Sequence, residues 1–521
     1  MVASQAGLEA DDAGVDLAAL RARLVPPMPG SAFWGWVGPL LVTAFGAFLR
    51  FNRLGVPKAV IFDETYYVPD AYGILRFGVE HNYVANRNAL ILRGDTHFFS
   101  PGGEFVVHPP AGKLLIAVGE WMFGLTPFGW RFAVAVVGSL SILILARTAR
   151  RMTRSTVLGC VAGLLLALDG LEFVMSRTAL LDIFVMFWAL AAFACVVADR
   201  DWSRARLAGA VELGHSGDSP PRLGFRWWLL GAGICLGLAT ASKWNGVWFI
   251  PAFIGLTLVW DRGARRAAGF AASGGLGGAA RDVGGRLILL ALVPLLTYLA
   301  TWSGWFATST GYDRQWAAQH GIHTPVISDL VSLFEYHKAM LAFNTGLSIH
   351  HPYQSEPWTW LVLARPVSYF WCPNSGAHPV CAGNKAQEVL AIGTPAIWWT
   401  SIVTLLVCLG WWLTRRDWRA GATLLAFAAG WLPWFLFSGR TQFYFYSVAF
   451  VPYLVLSITL CLGLVIGPAR ASARRRAAGA AVAGAYLLAV LFNFVYLYPI
   501  LAAQLIPYTQ WLSRMWYHGW I

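Results

Sequence analysis

Apolar runs near membrane-spanning length, parted by short polar turns, fill most of the chain. A helix needs about 20 predominantly apolar residues to cross a bilayer. On that measure, spans fall at about 34–51, 130–146, 157–174, 180–197, 227–241, 247–260, 287–305, 395–413, 422–437, 443–465 and 480–498. The pattern predicts an all-α polytopic membrane protein with about eleven transmembrane helices. Two stretches interrupt it. Residues 52–127 form a polar, aromatic first loop, and 306–394 is too long for a simple connection and should carry structure of its own. Residues 113–123 are apolar but short, and Glu120 argues for a helix lying along the interface.

Charge placement orients the spans. Dense arginine clusters follow spans two, four, six, eight and ten: Arg147, Arg150, Arg151 and Arg154; Arg200, Arg204, Arg206 and Arg222; Arg262, Arg265, Arg266, Arg281 and Arg286; Arg415 and Arg416; Arg470, Arg474, Arg475 and Arg476. The loops after spans three, five, seven and nine lack them. Basic loops stay in the cytoplasm, so the N-terminus is expected inside and the C-terminus outside. The expected division is a cytoplasmic tail (1–33), a transmembrane domain (34–498) and an outer C-terminal tail (499–521). The acidic start is no signal peptide and reads as a mobile tail with a short helix near 15–24. The Gly/Ala/Arg-rich stretch 262–286 reads as a flexible linker.

Composition agrees with this class. Hydrophobic residues make up 57% and charged residues 12%, against about 25% charged in soluble domains. The net charge of +13 lies mostly in the short basic loops, and no nucleic-acid motif accompanies it. Cys160, Cys195, Cys235, Cys408 and Cys461 fall in apolar runs, whereas Cys372 and Cys381 share the long outer loop. A disulfide between those two is expected if the loop meets an oxidising compartment, and two free thiols are the alternative.

The candidate chemistry lies on the expected outer face. Asp63 and Glu64 follow the first span. A carboxylate near lipid is costly unless cationic, polar or aqueous partners offset it. Asp63 is the candidate general base, and a helix N-cap is its structural alternative. Three short outer turns carry one cation each: Arg177, Lys243 and Arg440. Isolated cations opposite a carboxylate pair suit a lipid-linked phosphate; snorkelling at span ends is the alternative. His108 sits in the stiff turn His108-Pro109-Pro110, where it could meet phosphate, sugar or a metal; a structural hydrogen-bonding role is the alternative. Asp169, Glu172 and Asp182 are acids near or within spans, hence site candidates. The histidines of the long loop (His320, His323, His337, His350, His351, His378) match no zinc spacing, so no metal is assigned; a divalent cation lacks a ligand pattern. Trp358, Trp360 and Trp371 could stack on sugar or acceptor, or anchor the interface.

Several of these stretches resemble one family. Phe62-Asp63-Glu64 resembles the acidic signature of multi-spanning glycosyltransferases that use polyprenyl-phosphate sugars. His108-Pro109-Pro110-Ala111-Gly112-Lys113-Leu114-Leu115, Ser176-Arg177-Thr178-Ala179-Leu180-Leu181-Asp182 and Ser242-Lys243-Trp244 resemble stretches of protein O-mannosyltransferases. The most specific match is His351-Pro352-Tyr353-Gln354-Ser355-Glu356-Pro357-Trp358-Thr359-Trp360, followed by Tyr369-Phe370-Trp371. The resemblance implies a GT-C-type bundle in the plasma membrane with its site outside. It implies inverting transfer of mannose from polyprenyl-phosphate-mannose to Ser or Thr of secreted proteins, which the secretion translocon could supply. Asp63 would be the base, Glu64 its partner in positioning, Arg177 a phosphate ligand, with His351, Tyr353, Trp358 and Trp371 toward acceptor or sugar. Eukaryotic members carry a β-trefoil insertion in the large outer loop, for which this chain has no room; it resembles the bacterial, especially actinobacterial, form. A related transferase acting on a lipid or glycan is the near alternative, and a transporter or flippase the distant one; no internal repeat favours the latter.

Overall fold

A computed structural model describes residues 17–215, 220, 221, 223–270, 275–372, 381 and 384–521. Eight described helices are long and apolar enough to cross a bilayer: Ala32–Phe51, Pro127–Thr153, Asp182–Glu212, Arg281–Thr301, Pro395–Arg415, Trp418–Phe437, Tyr444–Ile466 and Ala473–Leu501. The segments expected as spans three, five and six are the shorter Thr156–Ala167 and Trp227–Ser242 and the 19-residue Phe249–Ala267. Asp182–Glu212 and Tyr444–Ile466 are the most enclosed and form the centre of the bundle. Small residues bring backbones together around them. A Cβ on Gly233 would run into the Leu289 carbonyl oxygen, and one on Gly237 would lie 2.7 Å from that of Pro294.

Several expectations change. The third span breaks at Leu168, because the Asp169 side chain accepts from Glu172 N (3.0 Å) and starts a new helix, Gly170–Met175. Asp169 also takes Trp398 Nε1 (2.7 Å), while Glu172 pairs with buried Arg50; both acids are absorbed by packing. The fourth span runs on to Glu212 rather than ending near 198, since its polar residues find distant partners. Arg226 pairs with Asp199 and Asp261, Arg151 and Arg154 with Asp201 (3.2 and 3.0 Å), and Arg200 lies 3.6 Å over the Trp418 ring. The supposed flexible linker is largely helical: Phe249–Ala267 and Gly275–Leu287 are joined through Arg265–Asp282 and Arg286–Asp261 pairs. The expected mobile tail includes the helix Leu17–Leu24, whose Leu20 and Leu24 pack on Ala208, with Arg21 on Glu212 (2.5 Å). Residues 1–16, Arg222 and His378 lie outside the described residues.

The long loop holds the helix Ile327–Gly346 and two strands, β3 (Val367–Cys372) and β4 (Lys385–Ala391), paired antiparallel. A disulfide joins Cys372 to Cys381. The tail adds β5 (Ile506–Pro507) to β4. In the first loop, β1 (His81–Tyr83) and β2 (Phe99–Gly103) flank the helix Glu64–Phe77, and Ala111–Phe123 packs on that helix. Glu120 is buried there, not turned outward as expected.

Candidate active site

The adjacent acids part company at a strained turn. Phe62 has φ +47°, a left-handed conformation that costs an ordinary residue about 1–2 kcal/mol. Stacking of its ring on Tyr369, centroids 4.6 Å apart, holds it there. Beyond the turn, Glu64 opens the helix Glu64–Phe77 and points inward. Arg131 grips it through Nε to Oε1 (2.7 Å) and Nη2 to Oε2 (2.8 Å), and the amides of Ile61 (3.0 Å) and Ala179 (3.1 Å) donate to it. Four donors on a buried carboxylate leave it no hydrogen-bonding capacity for a substrate.

Asp63 stays half-buried at the helix start. Its carbonyl accepts from Tyr67 N (3.1 Å), but its side chain makes no capping bond. Burial pushes the carboxyl up to about 6, Asp182 adding to the rise and Lys243 opposing it. Lys243 and Asp182 form their own pair: the ammonium lies 3.0 and 2.9 Å from the two carboxylate oxygens. Asp182 is the first residue of the helix Asp182–Glu212, where backbone N–H groups favour negative charge. The ammonium also stands 4.2 Å from the centroid of the Tyr446 ring.

Arg440 completes the cationic side. It donates to Asn344 Oδ1 (3.3 Å), and its Nε is buried without a hydrogen-bond partner among the described residues. It lines a cavity of about 560 Å³ whose walls include Trp244, Trp248, Leu295, Leu341, Trp434 and Phe437. His108 tilts against Tyr67 at 6.2 Å. Burial, then Lys243, Lys113 and Arg440, hold its imidazole well below the usual range, so it is neutral near pH 7.

Other candidates lie elsewhere. Arg177 donates to the carbonyls of Leu49 (3.2 Å), Arg50 (2.7 Å), Asn52 (2.7 Å) and Arg53 (3.0 Å). It closes the C-terminal end of the helix Ala32–Phe51, where carbonyls lack helical partners. His351 meets Phe443 edge-on at 5.1 Å and accepts from Tyr353 N (3.1 Å). The Tyr353 ring lies under Arg365 (5.1 Å). Trp358 is 57% exposed beside Phe435, and Trp371 tilts against Trp511 of the tail at 4.6 Å.

Charge and spacing also passed over a set of aromatics. Phe62, Tyr369, Phe445, Phe443, Tyr446 and Trp434 form a continuous wall from Asp63 to the cavity, with successive centroids 4.6–5.9 Å apart. The one sequence signal was the run Phe443-Tyr444-Phe445-Tyr446 just after Arg440. A second polar group, Asp70, Glu80 and Lys113, lies behind the site, with Lys113 3.6 Å from Asp70. Burial pushes the Asp70 carboxyl up to about 8 against the pull of Lys113. No group of three or more His, Cys, Asp or Glu among the described residues is arranged to hold a metal ion.

A family model described as dolichyl-phosphate-mannose-protein mannosyltransferase matches residues 40–308. Another, described as the C-terminal four TMM region of protein-O-mannosyltransferase, matches residues 330–520. A polyprenol-phosphate-mannose–protein mannosyltransferase of Mycolicibacterium smegmatis is 39% identical over 503 residues, covering 93% of each chain. One from Mycobacterium tuberculosis is 38% identical over 500 residues, covering 93% of this chain and 92% of that protein. Among solved structures, the Saccharomyces cerevisiae Pmt1-Pmt2 complex bound to the sugar donor aligns with a TM-score of 0.70 at 16% identity, over 96% of this chain and 94% of that one. ArnT from Cupriavidus metallidurans bound to undecaprenyl phosphate aligns with a TM-score of 0.51 at 17% identity, over 94% and 78%. At those identities the structural likeness establishes the fold, that of the GT-C membrane glycosyltransferases.

Proposed function

The chain belongs to the dolichyl-phosphate-mannose-protein mannosyltransferase family, and from that premise we propose that it moves mannose from a polyprenyl-phosphate to Ser or Thr hydroxyls of secreted proteins. Asp63 takes the proton of the hydroxyl as its oxygen attacks the anomeric carbon. The bond from that carbon to the phosphate oxygen breaks, polyprenyl phosphate departs, and the configuration inverts. General-base help of this kind contributes roughly 10²–10⁴-fold. Lys243 and Arg440 balance the phosphate charge that grows as the bond breaks. The apolar cavity beside Arg440 takes the first isoprene units. Asp182 holds Lys243, and neutral His108 hydrogen-bonds the donor head.

One observation carries this reading: a half-buried carboxylate free of capping duty stands beside the Lys243–Asp182 pair, and an apolar cavity opens past Tyr446 at Arg440. Under the arginine pattern read above, this end of the bundle faces outside the plasma membrane with the C-terminus, and the N-terminus is cytoplasmic. Acceptors would be met as they leave the secretion translocon. His351 and Tyr353 are the acceptor-side candidates, since both adjoin Phe443 or its neighbours; Trp358 and Trp371 have no such support.

The test is transfer itself. Purified protein in lipid nanodiscs, given polyprenyl-phosphate-mannose and a Ser/Thr/Pro-rich peptide, should yield mannosylated peptide by mass spectrometry. Mannose appearing on lipid or glycan, with none on peptide, would replace this reading with that of a lipid- or glycan-directed transferase.

A further inference from the structure

Two cations of the site, Lys243 and Arg440, both stand near the ring of Tyr446. Lys243 Nζ is 4.2 Å from its centroid and Arg440 Cζ 6.0 Å. The ring cannot move aside. Trp434 stacks on it at 4.6 Å with planes 18° apart, Phe445 and Phe443 meet it edge-on at 4.9 and 5.9 Å, and the side chain is 4% exposed. An aromatic face attracts a cation without accepting its N–H bonds as a carboxylate would. Lys243 has three donors, and Asp182 is its one carboxylate partner among the described residues. With two N–H groups on the Asp182 oxygens, support from the ring leaves the third for an incoming anion. Arg440 likewise keeps a buried, unpartnered Nε. Two like charges near one anion site repel when it is empty, and the attraction of each to the same ring offsets part of that repulsion.

We propose that Tyr446 is a positioning residue for the donor's phosphate, its ring a common shelf that sets Lys243 and Arg440 at the spacing the phosphate needs. This rests on the reading in which those two cations bind the phosphate. The hydroxyl is not the working part.

Steady-state kinetics with varied donor test it, with wild-type transfer as the control. Tyr446→Phe keeps the ring and should leave the donor KM within about twofold. Tyr446→Leu removes it and should raise the donor KM roughly tenfold, with a smaller change in kcat. A series of fluorinated phenylalanines at 446 keeps shape while draining charge from the ring face, so donor KM should climb with each fluorine. That series also decides the matter if the leucine variant fails to fold. A phenylalanine variant as poor as leucine would assign the role to the hydroxyl and overturn the proposal. So would a flat fluorine series. Absent transfer by the wild-type protein would sink the parent reading instead.

Discussion

Asp63 and Glu64 are neighbours in sequence and opposites in surroundings. Glu64 is buried under four hydrogen bonds, two of them from Arg131. No hydrogen bond among the described residues reaches the Asp63 carboxylate; it has only the fields of Lys243 and Asp182 and a partial cover of protein. The cations divide in the same way. Arg177 gives its guanidinium to four backbone carbonyls, while Arg440 makes one long hydrogen bond among the described residues and leaves its Nε without one. In these two pairs, Glu64 with Asp63 and Arg177 with Arg440, saturation distinguishes residues that residue type does not. A saturated buried charge can hold elements together but has no bonding capacity for a substrate. An unsaturated one is costly to the fold and is kept where something else binds it.

The comparison breaks most visibly through Asp63. Asp63→Asn should cost roughly 10²–10⁴-fold in kcat, with donor binding and thermal unfolding nearly unchanged. Near-normal turnover would remove Asp63 from the role of base. Glu64→Ala should do the reverse: it strands Arg131, and breaking such a buried pair costs about 3–5 kcal/mol. Less folded protein and a lower unfolding temperature in detergent are expected. Removing Arg131 as well, as Glu64→Leu with Arg131→Met, should recover part of the loss. A Glu64 variant that folds normally but cannot transfer would return Glu64 to the chemistry.

The cations sharpen it at smaller scale. Arg177→Ala orphans the end of the helix Ala32–Phe51 and should lower stability by about 1–3 kcal/mol, leaving the donor KM where it was. Arg440→Ala should raise the donor KM about tenfold and leave unfolding unchanged. The two variants, compared in one donor titration, exchange roles if saturation is the wrong criterion.

These contrasts show what was legible in the sequence. Hydropathy marked the eight described helices long enough to cross a bilayer, and the charge pattern grouped Asp63, Glu64, Arg177, Lys243 and Arg440, with Asp182 set apart as an acid within a span, because lone charges beside apolar runs stand out. Saturation was invisible. Arg131 is 67 residues from Glu64, and the carbonyls that Arg177 caps lie more than 120 residues before it. Neither pairing leaves a local trace. The helix Gly275–Leu287 was missed for the same reason: its sequence is of low complexity, and its Asp282 and Arg286 pair with Arg265 and Asp261 on another helix. Tyr446 was hidden because an aromatic at the head of a membrane span is usually just packing.

The finest test is pH. Burial raises Asp63 to about 6, Asp182 pushes in the same direction, and Lys243 opposes both. A base works when deprotonated, so kcat/KM for the acceptor should fall about tenfold per unit below pH 6 and level off above it. Asp182→Asn removes one contribution that raises Asp63. It also frees Lys243 from its carboxylate partner, strengthening the opposing field. Both changes act in one direction, so the acidic limb should move to lower pH. Glu64→Gln, on the saturated side, should leave the limb in place in whatever protein folds. A limb that shifts with Glu64 and not with Asp182 would mean that the titrating group belongs to the scaffold, and the two neighbouring acids would have to trade places.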